Sequence, residues 1–189
     1  MNLNAEQIRE ACDGEFLVPP LDTTVFSTAL KIDSRKIECG DLFVALKGEH
    51  SDGFKYINDA INDRASIVVC DRDIADDTKI IANDHAASII KAKDARQAIR
   101  DITVEWRKNI MGKIIGITGS VGKTSTKNFV SQVLSSKYQV TSTDGNYNND
   151  LGLPITLCKA NLEDDFVVAE MGMNAPGEIA NLCDIAQPE

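Results

Sequence analysis

The sequence predicts an α/β protein in which a small α/β domain is followed by the first part of a second domain built on a parallel sheet. Short apolar runs rich in Ile and Val, such as Ile67–Cys70 and residues 166–169, are typical of buried parallel strands. They alternate with segments whose apolar residues recur at helical spacing. A glycine-rich turn at 119–122 joins one such run to one such helix.

Composition narrows the class of protein. With 189 residues, 43% of them hydrophobic, the chain can form one large core or two small ones. A net charge of -9 and the lack of a basic stripe argue against a nucleic-acid partner. The five cysteines form no CxxC pair, the N-terminus is too charged for a signal peptide, and no apolar run approaches membrane-spanning length. We therefore expect a cytoplasmic protein without membrane insertion.

The first half of the chain predicts alternating helices and strands. Asn4 and Gln7 form a capping-box pattern at the start of a short helix. Strands are predicted at 30–33, 41–46 and 67–70, with a polar turn at 47–53 and a helix after it. This order is a βαβ-like unit.

A further helix closes the first domain. Asp94 is placed to cap a helix that carries an apolar stripe as far as Trp106, which we expect to be a core or domain-interface residue. The polar segment after it precedes a new strand. We place the domain boundary there and assign residues 1–110 to the first domain and 111–189 to the second.

The stretch TGSVGKTST, residues 118–126, follows the strand at 114–118 and opens a helix. Glycines let several N–H groups point at one spot, and the helix N-terminus and the Lys123 ammonium add positive charge there. Thr124 can bind a Mg²⁺ ion that bridges phosphates, so the unit suits ATP. The longer form of the phosphate-loop pattern has glycine where Ile117 stands. The alternative to a nucleotide site is a tight strand-to-helix turn with a surface lysine. The expected nucleotide-binding residues are Gly119, Ser120, Val121, Gly122, Lys123, Thr124 and Ser125.

Two later features accompany the glycine loop. Glu170 directly follows the strand at 166–169, so it is expected at the same sheet edge as the loop, where it could hold magnesium; the alternative is a solvated glutamate. The segment 144–154 contains three asparagines between glycines, which turn chemistry alone could explain. Three strands, at 114–118, 138–141 and 166–169, make a thin sheet with uncovered apolar faces, which suggests the truncated first part of a longer enzyme.

Together, TGSVGKTST, GNYNNDLGLP and VVAEMGMNAPGEI resemble the ATP-dependent Mur ligases of peptidoglycan synthesis. The closest likeness is to the type that adds D-alanyl-D-alanine to UDP-N-acetylmuramoyl tripeptide. The upstream stretch DSRKIECGDLFVALKGEHSDGFKYINDAI resembles the uridine-nucleotide domain shared by two members of the family. The likeness spans nearly the whole chain.

The resemblance implies a reaction. ATP would phosphorylate the terminal carboxylate of the UDP-linked peptide, and the dipeptide amine would attack the resulting acyl phosphate. Lys123 would bind the β- and γ-phosphates, Thr124 and Glu170 the magnesium. Asn146 and Asn149 would lie near the transferred phosphoryl group.

The resemblance also assigns a substrate site. The UDP moiety would meet Ser34 and Arg35, with Lys47, Asp52 and Gly53 from the polar turn. Two positions depart from the family pattern: Phe54 and Ala175 stand where relatives often carry histidine. We expect the full-length enzyme to be a monomer, although the sequence leaves its oligomeric state open, and we expect the 189-residue chain alone to be inactive in ligation.

Three alternatives remain open at this stage. One is a related ligase, either the type that adds a single amino acid or a folylpolyglutamate synthase. Another is a phosphate-loop NTPase switch without ligase chemistry, which would have no use for Ser34 and Arg35. The third is a UDP-sugar binding module whose phosphate loop is vestigial.

Overall fold

The computed structural model describes residues 1–48 and 51–189, so Glu49 and His50 of the expected polar turn lie outside the described residues. The chain divides into two compact units, Met1–Ile102 and Thr103–Glu189. Each unit has its own sheet.

The first unit contains a five-stranded sheet in the order β1-β5-β4-β3-β2. Strands β2 to β5 are parallel, and β1 pairs antiparallel with β5. The predicted strands at 30–33 and 41–46 are present but shorter, and β1 was not predicted. The strands are β1 (Glu15–Val18), β2 (Leu30–Lys31), β3 (Leu42–Val44), β4 (Ile67–Cys70) and β5 (Ser88–Lys91).

Helices precede, connect and follow these strands along the chain. They are α1 (Ala5–Ala11), α2 (Ile57–Asn62), α3 (Asp76–Asp84) and α4 (Ala95–Arg107). The predicted capping box of Asn4 and Gln7 is confirmed, and Asp94 Oδ1 accepts from the backbone N–H of Gln97, as expected for an N-cap. One face of the sheet packs Phe43 and Val68 against Ile61 of α2, and all three side chains are almost fully buried.

The second unit contains a three-stranded parallel sheet in the order β6-β8-β7, which confirms the predicted number of strands. Its elements are β6 (Lys113–Ile117), α5 (Lys123–Ser135), β7 (Val140–Ser142), α6 (Gly152–Lys159), β8 (Phe166–Glu170) and α7 (Glu178–Ala186). Helix α6 was not predicted, because the glycines, asparagines and Pro154 of the segment 144–154 are typical of a turn. Proline is tolerated in the first turn of a helix, where its missing N–H would lack a helical partner in any case.

The division between the units falls inside α4, before the predicted boundary at residue 110. The end of this helix packs on α6: Trp106 Nε1 donates to the Leu157 carbonyl at 3.1 Å, and Thr103 contacts the buried Cys158 thiol. Trp106 is 1% exposed, which confirms it as a core residue. The assignment of the units to UDP and ATP binding stays a prediction.

Helix α5 also shows the uncovered apolar surface that the thin sheet suggests. Phe129 and Val133 are 68% and 70% exposed, although their spacing is that of a buried helix face. Across residues 1–48 and 51–189, every helix is too short or too polar to cross a membrane.

Trp106→Ala should lower the free energy of unfolding of the second unit by about 3–5 kcal/mol, because it leaves a cavity and removes the bond to Leu157. Urea unfolding followed by far-UV circular dichroism measures this, since the variant lacks the only tryptophan. Met111→Ala, at an 85% exposed site, is the control and should change little. Equal stability of the two variants would contradict a core role for Trp106.

Candidate active site

The glycine loop connects β6 to α5 and is open to solvent. Gly122, directly before α5, has φ +78°, a left-handed conformation that favours glycine. A Cβ built there meets no atom within 4 Å, so glycine is required by the backbone conformation and not by space. Residues 118–122 are all exposed. The loop therefore presents its N–H groups and the N-terminus of α5 where an anion can reach them.

Lys123 begins α5 and folds back over this loop. Its Nζ donates to the carbonyl of Gly119 at 2.7 Å. Thr124 and Ser125 follow in the first turn, and both are exposed. The lysine and the threonine hydroxyl are thus both available at the mouth of the loop.

Glu170 lies at the carboxyl end of β8, directly beside the strand that leads into the loop. It is register-paired with Ile117, the last residue of β6. Its backbone N–H donates to Thr143 Oγ1 at 2.9 Å, which ties it to the end of β7 as well. The side chain is only 2% exposed, so the alternative of a solvated glutamate does not hold.

The two carboxylate oxygens of Glu170 differ. Oε1 accepts from Asn148 Nδ2 at 2.9 Å, whereas Oε2 is buried and has no hydrogen-bond partner within residues 1–48 and 51–189. A buried polar atom without a partner is costly and needs an explanation. A divalent cation fits it, because Mg²⁺ prefers carboxylate and hydroxyl oxygens.

The described ranges 1–48 and 51–189 contain no group of three or more His, Cys, Asp or Glu side chains that could hold a metal. A Mg²⁺ at Glu170 would therefore complete its shell with phosphate oxygens, water and a hydroxyl such as that of Thr124. That is the usual arrangement where magnesium accompanies a nucleotide.

The asparagine-rich segment combines turn chemistry with a contact to the acid. Asn149 Oδ1 accepts from the backbone N–H of Leu151 at 3.3 Å and of Gly152, the first residue of α6, at 2.8 Å. Asn146 is exposed. The catalytic roles of Asn146 and Asn149 stay predictions, and Asn148, which contacts Glu170, was missed because spacing alone does not tell which asparagine faces the sheet.

Lys127 was also missed. It lies one helical turn after Lys123 in α5, yet it is 6% exposed and its Nζ donates to the carbonyl of Thr143 at 2.7 Å. The same threonine holds the backbone of Glu170. The only feature of the sequence that could have indicated a buried Lys127 is its spacing of four residues from Lys123. A lysine on the surface of the helix could have the same spacing.

The expected UDP residues follow the carboxyl ends of parallel strands in the first unit. A 3-10 turn at Ser34–Lys36 follows β2, and a second at Gly53–Tyr56 follows β3, its neighbour in the sheet. The carboxyl ends of parallel strands meet at one edge, where ligands bind in open α/β sheets. The structure thus brings both groups of predicted residues to the same edge.

The side chains at this edge are already paired with one another. Ser34 is buried, and the exposed Arg35 forms two hydrogen bonds of 2.9 Å to Asp33. These bonds hold the pKa of Asp33 below its usual value. Arg35 therefore has the reach and the charge for a diphosphate, provided that it exchanges its partner.

Asp52 and Gly53 shape the second turn. Asp52 Oδ1 caps it by accepting from Phe54 N–H, and its other oxygen accepts from Arg72 at 2.9 Å. A Cβ at Gly53 would lie 2.8 Å from the Leu46 carbonyl oxygen, so only glycine fits. Lys47 forms a backbone bridge with Asp52.

Arg72 follows the carboxyl end of β4 and was not predicted. Besides Asp52 it bonds Asp71, and its guanidinium lies 4.7 Å from the centroid of the Phe54 ring. Such stacking of a cation on an aromatic face is attractive. In this chain Phe54 thus serves as an aromatic platform for Arg72.

A parallel sheet with a glycine loop between its edge strand and a helix, and a buried acid beside that loop, defines a phosphate-loop protein of the α/β class. The chain belongs to the Mur ligase family. Residues 117–189 match the Mur ligase middle domain, and residues 27–115 match the description "Mur ligase family, catalytic domain".

Individual relatives agree with this assignment. The UDP-N-acetylmuramoyl-tripeptide--D-alanyl-D-alanine ligase of Synechocystis sp. is 40% identical over 82% of this chain and 33% of its own length. MurF from Acinetobacter baumannii superposes with a TM-score of 0.84 at 30% identity over 100% of this chain and 40% of that one. MurF ligase from Thermotoga maritima in complex with ADP gives 0.71 at 30% identity over 86% and 36%. The chain thus spans between 33% and 40% of the length of these relatives.

Thr143→Val should destabilise the second unit by about 1–3 kcal/mol, because the buried N–H of Glu170 loses its acceptor. Thr143→Ser keeps the hydroxyl and is the matched control. Urea unfolding followed by tryptophan fluorescence compares the two, and a serine variant as unstable as the valine variant would show that the methyl group, not the hydrogen bond, matters.

Arg72→Met should raise the pKa of Asp52. Desolvation opposes ionisation of this carboxyl, but the bonds from Phe54 N–H and Arg72 outweigh it and hold its pKa below the usual 3.8. A lowered folded-state pKa stabilises the protein above pH 3.8, and this contribution is lost as the pH falls through the folded-state value. Carboxyl titration by NMR measures the pKa, and an unchanged value in the variant would contradict the pairing.

Proposed function

We propose that the chain supplies the uridine-nucleotide site and the phosphate-binding part of an ATP-dependent ligase that joins D-alanyl-D-alanine to UDP-N-acetylmuramoyl tripeptide in peptidoglycan synthesis. Glu170 carries the proposal: one of its carboxylate oxygens is buried beside the glycine loop and has no partner among the described residues. A cytoplasmic location and a monomeric full-length enzyme belong to the same proposal.

In the second unit, the N–H groups of residues 119–122 and the ammonium of Lys123 bind the polyphosphate of ATP. Lys123 exchanges the Gly119 carbonyl for phosphate oxygens, which as anions form the stronger hydrogen bonds. Thr124 and Glu170 hold Mg²⁺, which when bound neutralises negative charge between the phosphates. These residues position the reacting groups and lower the electrostatic cost of bringing anions together.

Asn149 and Asn146 complete the site. Because Asn149 Oδ1 accepts from the N–H groups of Leu151 and Gly152, its amide N–H₂ is the part of the side chain that can donate to a phosphoryl or acyl-phosphate oxygen. Asn146 is exposed in the same loop and can do the same. Both would stabilise negative charge without adding a proton-transfer group.

In the first unit, Arg35 binds the diphosphate of the UDP moiety, because its planar guanidinium can donate to two phosphate oxygens at once. The Ser34 hydroxyl and the Lys47 ammonium add donors at the same sheet edge. Asp52 and Gly53 shape the neighbouring turn and do not bind the diphosphate themselves. The Asp52 carboxylate is paired with Arg72.

Calorimetric titration tests the two sites separately. UDP-N-acetylmuramoyl tripeptide and UDP should bind the chain, and Mg-ATP should bind more weakly. Lys123→Ala should weaken Mg-ATP binding at least about tenfold and leave UDP binding unchanged. Arg35→Ala should weaken UDP binding by a similar factor and leave Mg-ATP binding unchanged.

Two controls remove a lysine from each unit: Lys137→Ala, beyond the C-terminal end of α5 and so about 20 Å from the glycine loop, and Lys36→Ala, in the turn that holds Arg35. Neither should change binding beyond a small effect of net charge. Mg-ATP binding with no response to any UDP ligand would overturn the proposal in favour of an NTPase switch. UDP binding with no Mg-ATP binding that depends on Lys123 would favour a UDP-sugar module.

A further inference from the structure

Asn148 is bound to the segment around Glu170 through both its side chain and its backbone. Its Nδ2 donates to Glu170 Oε1 at 2.9 Å, across 22 positions of sequence. Its carbonyl accepts from the Gly172 N–H at 2.7 Å. Because a carboxylate can only accept, the amide N–H₂ must face it, which sets the orientation of the asparagine.

Gly172 makes room for this contact. A Cβ built there would lie between 3.1 and 3.2 Å from the side-chain atoms of Asn148, closer than ordinary van der Waals contact. Its φ is not in the left-handed region, so the reason for glycine at this position is space. The loop and the end of β8 therefore approach each other closely, and the asparagine amide is confined between them.

The backbone of Glu170 is held by β6 and by Thr143, but these contacts do not orient its carboxylate. The bond to Asn148 does. It satisfies Oε1 with a neutral donor and so leaves the negative charge of the carboxylate uncompensated. The second oxygen, Oε2, then remains buried without a partner within residues 1–48 and 51–189.

We propose that Asn148 is a positioning residue that holds Glu170 Oε1 and thereby presents Oε2 to the divalent cation. A lysine or arginine in its place would cancel the charge that attracts the cation, and an apolar residue would let the carboxylate rotate. The inference rests on the proposed function, because it assigns a role toward the magnesium of the ATP site. It distinguishes Asn148 from Asn146 and Asn149, for which we propose contacts to the phosphoryl group.

The test measures how much Mg²⁺ strengthens ATP binding. Calorimetric titration with ATP is run with excess Mg²⁺ and again with a chelator, on the wild-type chain and on Asn148→Ala. The variant should lose about tenfold in affinity with Mg²⁺ and nothing in the metal-free titration, since the glycine loop is unchanged. A residue that merely stabilised the fold would weaken both titrations and also lower the melting temperature.

A double-mutant cycle with Glu170→Gln assigns the effect to the carboxylate. Asn148→Ala should have no further effect on the Mg²⁺ dependence once Glu170 is replaced. Tyr147→Phe, in the same loop, is the matched control and should bind like the wild type.

Gly172→Ala provides a second test if Asn148→Ala does not fold. The added methyl group would crowd the Asn148 side chain and displace its amide from Glu170. It should reduce the Mg²⁺ dependence in the same direction by a smaller factor. Wild-type Mg²⁺ dependence that persists in both Asn148→Ala and Gly172→Ala would overturn this inference alone. If the wild-type chain binds ATP with the same affinity with and without Mg²⁺, both the proposed function and this inference are wrong.

Discussion

The parallel pairing of β8 between β6 and β7 is the constraint on which the candidate active site depends. It places Glu170 opposite Ile117, the last residue before the glycine loop, and lets Thr143 at the end of β7 bond the backbone of Glu170. A slip of one residue along β8 would turn the acid to the opposite face of the sheet. The distance from phosphate loop to carboxylate is therefore set by sheet register and not by either side chain.

A chain of buried polar contacts supports this position. Lys127 in α5 donates to the carbonyl of Thr143, the Thr143 hydroxyl accepts from Glu170, and Asn148 donates to the Glu170 carboxylate. Each contact satisfies a group that would be costly to leave buried and unpaired. The network ties helix, sheet and loop together and, in the part of the chain that the structure describes, leaves Oε2 without a hydrogen-bond partner. In the proposed ATP site, this arrangement would need little reorganisation when a cation binds, which would favour charge stabilisation.

In the first unit, polar contacts also hold the candidate binding residues beyond the carboxyl ends of parallel strands, but these contacts are more exposed and weaker. Its two 3-10 turns follow neighbouring parallel strands, and aspartates 33 and 52 cap them by accepting from the backbone two residues on. Each aspartate also holds an arginine, Arg35 or Arg72, in an exposed or half-exposed pair. Exposed pairs of this kind contribute little stability, so a diphosphate can displace one at small cost. The arginine that faces solvent, Arg35, is therefore the better candidate for the substrate than the one stacked on Phe54.

By itself the sequence determined the features that consecutive residues encode: the alternation of strands and helices, the capping box at Asn4, and the glycine loop with Lys123 and Thr124. Local backbone preference and apolar spacing suffice for these. Only the tertiary structure decided that Glu170 is buried, that Asn148 and not its neighbours contacts it, that Lys127 points inward, and that Arg72 joins Asp52. Each of these depends on a contact between residues at least 16 positions apart. Such contacts exist only once strand register and loop packing are set, so spacing along the chain could not predict them.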